Sequence, residues 1–176
     1  VVKIADYSIE NSDRKAHGVV NMTKVLEESL NTGAIFAMRK TGPDVSADYV
    51  KNFGFGEKTG IELEGEATGD IKNLTNKKLN KELYAATASF GQGISVTPLQ
   101  MVAAFGAVAN GGMLMKPYLV KEIIREDGDK VSAEPRQLRR VISERAATLL
   151  GGMLVNVVEN GHGKKAGAKG YYVGGK

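Results

Sequence analysis

Glu27-Glu28-Ser29-Leu30-Asn31-Thr32-Gly33 is the stretch on which the reading of this chain turns. It sets a hydroxyl and a carboxamide two positions apart, where one helical run gives way to another. In a turn or a 3₁₀ step such a pair can aim into one small volume. A hydroxyl donates and accepts, and a carboxamide offers two donors and an acceptor. Together they can relay a proton and hold a substrate amide. On the tripeptide alone the commoner meaning is helix capping, because Ser and Asn favour helix ends over helix interiors. Residues 22–40 can also be read as one helix with Ser29 and Asn31 in its middle. The surrounding chain decides between these.

Working outward, Asn21 is placed to N-cap a helix running through Val25 and Leu26 to Glu28. A second run, Thr32 to Met38, ends on Arg39 and Lys40, which suit a C-terminal dipole. Gly42 then offers a left-handed cap and Pro43 a stop. Ser46–Asn52 reads as a short helix. Residues 1–18 show only turn signals. Phe53 to Glu66 is rich in Gly and charge and superficially suggests a phosphate loop. Walker A, however, needs Gly directly before Lys-Thr, and Glu57 stands there and repels phosphate. A long surface loop is the better reading.

Further along, Leu79–Ala88 looks helical. Thr97-Pro98-Leu99-Gln100 is a strong helix start, with Thr97 as N-cap, Pro98 at the first position and Gln100 able to close a capping box. The helix runs to Ala109, and its small residues predict burial on most sides. Met113–Ile124 is β-rich, Asp127-Gly128 signals a hairpin, and Lys130–Ser132 reads as the returning strand. Ser143 caps a last helix, in which Leu149, Leu150, Met153, Leu154, Val157 and Val158 form one apolar stripe. Gly151 and Gly152 inside it each cost about 1 kcal/mol against Ala, which predicts close packing there. Tyr171-Tyr172-Val173 reads as the start of a strand. The element pattern is α/β of the α+β kind.

Composition narrows the function classes. The 176 residues are enough for one domain with a core, and 42% hydrophobic with 25% charged residues describes a globular chain. With no cysteine there is neither a disulfide scaffold nor a thiolate metal site, and His17 and His162 are too few for a histidine metal cluster. The net charge of +4 is mild, the Lys72–Lys81 cluster has no aromatic nearer than Tyr84, and Tyr171 and Tyr172 in the Lys164–Lys176 cluster read as the start of a strand, so no nucleic-acid partner is expected. The longest nearly apolar run, Met101–Met115, is too short for a bilayer. The chain opens on Val1-Val2 and stops at Gly174-Gly175-Lys176, so an internal piece of a longer protein is expected.

Several segments together resemble one family, the penicillin-binding protein transpeptidases, over roughly residues 15–176. Phe53–Glu66 is similar to the family's loop after its Ser-x-Asn motif. Ala88-Ser89-Phe90-Gly91-Gln92-Gly93, with Thr97–Gln100, Ala109–Gly112 and Lys116-Pro117, is similar to its long central helix and exit. Val157–Ala166 and Gly174–Lys176 resemble the approach to its Lys-Thr-Gly strand, and the wording is that of the monofunctional class B branch. His162 departs from the Thr usual there and reads as a loop variation.

The resemblance implies a penicillin-binding/serine β-lactamase-like fold: a helical subdomain plus part of an antiparallel sheet, truncated at both ends. Residues 1–176 would form a partial transpeptidase domain lacking the upstream Ser-x-x-Lys and the strand after Lys176. It assigns Ser29 and Asn31 to Ser-x-Asn and Lys176 to the first residue of Lys-Thr-Gly, with Asn31 and Lys176 also binding substrate. The nucleophile is expected upstream. Ser12-Asp13-Arg14-Lys15 fits the spacing, but it lies in a polar turn-like stretch without an apolar helix to desolvate the Lys. Lys40-Thr41-Gly42 and Lys58-Thr59-Gly60 spell the last motif but precede no strand.

The implied activity of the parent is peptidoglycan D,D-transpeptidation, with the fragment alone inactive. The implied partners are peptidoglycan stem peptides, β-lactam antibiotics and other cell-wall synthesis proteins. No cofactor or metal is implied. The location is extracytoplasmic, held to the membrane by an anchor outside this chain. Competing readings are a non-catalytic scaffold or β-lactam sensor, and a serine β-lactamase. Loss of the upstream Ser or Lys would mark the scaffold, and fast deacylation would mark the β-lactamase.

Overall fold

The computed structural model describes residues 1–176. The chain order is β1 (Val2–Ile4), β2 (Tyr7–Ile9), α1 (Met22–Glu27), α2 (Asn31–Thr41), α3 (Pro43–Asn52), α4 (Lys72–Thr75), α5 (Lys81–Ser89), α6 (Pro98–Ala109), β3 (Met113–Met115), β4 (Glu122–Ile124), β5 (Lys130–Ser132), β6 (Gln137–Arg140) and α7 (Glu144–Asn160). A 3₁₀ turn, Lys164–Ala166, follows.

Local chemistry sets most helix starts. Asn21, Asn80 and Ser143 each accept a backbone N–H of the first turn, opening α1, α5 and α7. Thr97 and Gln100 form the reciprocal capping box at α6. Pro43 does more than stop α2: it occupies the first turn of α3. Gly42 joins the two helices at φ 89° and ψ 149°, which is not the left-handed helical cap expected of it.

The strands form three separate two-stranded antiparallel ribbons, β1–β2, β3–β6 and β4–β5. The Asp127-Gly128 hairpin falls where expected, with Ile123 opposite Val131 and Gly128 at positive φ. Sequence pattern missed β1–β2, α4 and β6, all elements of three or four residues, too short to carry a period. Tyr171–Val173 is not a strand. Both tyrosines are exposed, and no neighbouring strand offers them a hydrogen-bonding edge.

Burial falls into two clusters. Ile4, Ile35, Met38, Ala85 and Ala86 join β1, α2 and α5. The alanines of α5 let α2 and α3 pack closely against it. Ala107, Leu114 and Val141 join α6 to the β3–β6 ribbon, with Phe53 and Ala103 beside them. The predicted burial of α6 on most sides does not hold: Gln100, Ala104 and Ala107 are buried, whereas Met101, Val102 and Gly106 are open. Likewise nothing lies within 4 Å of a side chain at Gly151 or Gly152, and Leu149 in the expected stripe is exposed. α7 is buried through Ala147, Leu154, Val157 and Val158, the face that meets α1 and α6. No helix is long and apolar enough to cross a membrane.

Candidate active site

The break at Ser29 is real, and its form is a Schellman motif. The Ser29 N–H donates to the Leu26 carbonyl at 3.2 Å and the Leu30 N–H to the Val25 carbonyl at 2.9 Å. Ser29 therefore sits where helices usually place Gly, with φ +55°. A left-handed L-residue costs roughly 1–2 kcal/mol. Its hydroxyl caps nothing. The N-cap of α2 is Leu30, which contributes no side-chain bond, and Ser29 is exposed. Local capping thus does not account for this serine.

Three contacts hold the elbow. Leu30 is buried. Gly33 presses the first turn of α2 onto α1, so closely that a Cβ there would stand 2.4 and 2.6 Å from the Val25 methyls. Asn11, itself buried, caps α2 from a distance: its Oδ1 accepts the Thr32 N–H at 3.1 Å and the Thr32 hydroxyl at 3.0 Å. Asn31 Nδ2 donates to the Glu10 carbonyl at 2.9 Å, which orients the carboxamide.

Glu28, next to Ser29, pairs with Lys24 at 2.7 Å. That hydrogen bond is the main cause that holds the Glu28 carboxyl below its ordinary range, with His162 and His17 contributing charge. The same bond raises Lys24.

Lys176 ends a segment that lies along α7. The Gly175 N–H donates to the Leu154 carbonyl at 3.3 Å, and Gly174 lies against Leu154 and Val155 of α7. The residue is exposed, yet partial desolvation of its ammonium lowers its pKa. No hydrogen bond joins Lys176 to Ser29 or Asn31. What they share is α7: the end of α1 packs on it, and the segment before Lys176 runs along it.

Sequence reasoning did not find Asn11 or Gly33 as parts of this arrangement. Gly33, a Gly in the first turn of a helix, was the one visible signal. Ser12 to Lys15 is an exposed turn, with Arg14 at positive φ and the Lys15 N–H donating to Asp13. Lys40-Thr41-Gly42 ends α2. In the other copy of the motif, Thr59 is bonded to Glu66. An apolar recess of about 350 Å³ among α1, α2, α3 and α5 is lined by Val25, Leu26, Met38 and Ala85, and neither Ser29, Asn31 nor Lys176 lines it.

Helical elements beside short antiparallel ribbons thus present an exposed Ser and an oriented Asn at a helix elbow. The chain superposes on penicillin binding protein 3 from Mycobacterium tuberculosis, solved in complex with ampicillin, with a TM-score of 0.82 and 31% identity, over 93% of this chain and 37% of that one. Stage V sporulation protein D of Bacillus subtilis is 40% identical over 165 residues, covering 93% of this chain and 25% of the relative. A probable peptidoglycan D,D-transpeptidase FtsI of Caulobacter vibrioides is 33% identical over 164 residues, covering 90% and 25%. The profile of the penicillin binding protein transpeptidase domain matches residues 2–176, and the chain belongs to that family. It spans about a quarter of the length of these curated relatives.

Proposed function

We propose that the protein containing this chain is a peptidoglycan D,D-transpeptidase, in which residues 1–176 supply part of the active site. The observation that carries the reading is Ser29: a serine held in a glycine seat at an energetic cost, exposed, with no capping duty. Backbone strain of this kind clusters at functional sites.

In this reading a serine outside the chain attacks the carbonyl between two terminal D-alanines of a stem peptide, and a lysine beside it takes the proton. The C–N bond breaks, and Ser29 passes a proton to the departing amine, so that D-alanine leaves and an acyl ester remains. The amine of a neighbouring stem then attacks the ester, forms the cross-linking amide and returns the proton to the serine. Asn31 hydrogen-bonds the substrate backbone through the carboxamide oxygen that no donor occupies in the chain. Lys176 supplies positive charge toward the substrate carboxylate. β-Lactams enter as acylating mimics of the same peptide. The site acts outside the cytoplasm, anchored by a segment beyond these residues and working with other cell-wall synthesis proteins.

A fluorescent penicillin tests this. The intact protein is expected to be labelled, Ser29→Ala to be labelled far more slowly with its fold retained, and residues 1–176 alone to stay unlabelled. Near-normal acylation of Ser29→Ala removes the relay role. Specific labelling at Ser12 overturns the placement of the nucleophile outside this chain.

A further inference from the structure

Gly161 ends α7 at φ −101°, a backbone angle open to any residue, so its lack of a side chain is not a dihedral requirement. What it permits is an approach. A Cβ at Gly161 would stand 2.7 Å from the Glu27 carbonyl oxygen, 2.8 Å from Glu27 Cα and 2.9 Å from the Val157 carbonyl oxygen. The next residue, His162, donates its backbone N–H to that same Glu27 carbonyl at 3.3 Å. Glu27 is the last residue of α1, two before Ser29. The Gly163 and Gly161 N–H groups both return to the Val157 carbonyl, so the loop is tied to α7 on one side and to the Ser29 elbow on the other.

We propose that Gly161 is a positioning residue for Ser29: its bare backbone lets the end of α7 clamp the last carbonyl of α1, which sets where the Ser29 elbow stands on the helix along which the segment ending in Lys176 also packs. This rests on the transpeptidase reading above. The clamp joins groups placed at two levels of one rigid element. Lys176 is referred to α7 through Leu154, and Ser29 through Val157 and Gly161. The His162 side chain is not the clamp. It is largely exposed, and its Nε2 stands 3.8 Å from the Glu28 carboxylate, a separation at which a surface pair contributes little.

An added methyl must push the Glu27 backbone back by about 0.6 Å to reach an ordinary C···O contact of roughly 3.3 Å. Catalytic groups tolerate displacements of about 0.5 Å, and 1 Å can cost about a hundredfold in rate. Gly161→Ala in the full-length protein is therefore expected to slow acylation by a fluorescent penicillin at least about tenfold, with saturating stoichiometry and cooperative unfolding retained. Gly163→Ala is the control. The three atoms nearest a Cβ there belong to Val157 and Val158 of α7, at 3.0–3.3 Å, so its closest clash is with α7 and not with α1. Its rate, and that of His162→Ala, which keeps the N–H, should stay close to wild type.

A normal rate for Gly161→Ala refutes the proposal, and so does an equal loss from Gly163→Ala. Should Gly161→Ala not fold, hydrogen exchange of the wild-type protein decides: the His162 amide is expected to be protected like that of Leu30, and exchange at the free-peptide rate overturns the clamp. A wild-type protein that penicillin does not label refutes the transpeptidase reading itself, a different result from a labelled wild type with an unaffected variant.

Discussion

Replacing Gly33 by Ala should reverse its effect when Val25 is trimmed. In the wild-type background the new Cβ stands 2.4 and 2.6 Å from the two Val25 methyls, about 1 Å short of even the lower end of the usual carbon–carbon contact range of about 3.5–4.0 Å. Val25 is buried and cannot swing into solvent. Overpacking of this kind costs about 1–3 kcal/mol. Against it, Ala over Gly in a helix contributes up to about 1 kcal/mol. The expected net is a loss of roughly 1–2 kcal/mol. Val25→Ala alone removes buried methyls and should cost about 2 kcal/mol. In that background the clash is gone, and Gly33→Ala should stabilise by about 0.5–1 kcal/mol through helix propensity and a less flexible unfolded chain. The coupling energy is then about 2 kcal/mol, well above the few tenths expected of independent sites. Urea unfolding of the four proteins of the cycle measures it. An effect of Gly33→Ala with the same sign and size in both backgrounds would refute the claim that this glycine exists to bring α2 onto α1.

Three further outcomes are expected. Ser29→Gly should be about 1 kcal/mol more stable than Ser29→Ala, because only glycine is at ease at φ +55°, while both slow acylation alike; equal unfolding midpoints would remove the strain from the account. Gln100→Leu should cost at least about 3 kcal/mol in denaturant unfolding, since it strips partners from the Glu57 and Thr68 carbonyls and the Thr97 N–H around a side chain that is 1% exposed; a loss under about 1 kcal/mol would show that the 53–70 loop is held by something else. Glu66 accepts the Thr59 hydroxyl and the Thr59 and Gly60 N–H groups, and the hydroxyl bond most of all lowers its pKa from the ordinary 4.5. A depressed carboxyl stabilises the fold above its unfolded pKa and loses that contribution as pH falls through the lower folded value. The Thr59 amide resonance should therefore titrate with a midpoint below 4.5, and a midpoint at or above it would discount these bonds.

The parts legible in the chain itself were those whose cause spans a few residues. Asn21, Thr97 with Gln100, and Ser143 announce helix starts because a side chain three positions back reaches a free N–H. Asp127-Gly128 announces a hairpin because only certain residues take positive φ. The wording of several segments also placed the family, which the profile match over residues 2–176 bears out. Expectations failed where the cause lay elsewhere in space. α6 reads as buried all round, but apolar composition does not say which faces acquire neighbours, and Met101 and Val102 did not. Gly151 and Gly152 suggest close packing, yet only an approaching element can supply it, and none does.

Sequence alone therefore determined the capped helix starts at Asn21, Thr97 and Ser143, the hairpin turn and the presence of a hydroxyl and a carboxamide near one possible break, since these follow from local hydrogen bonding and backbone preference. Tertiary structure decided what that break is. It put Ser29 in a glycine seat, gave α2 a cap from Asn11, and brought Glu27 against Gly161. Each of these depends on the approach of segments far apart along the chain, and no pattern of neighbouring residues records a distance between backbones.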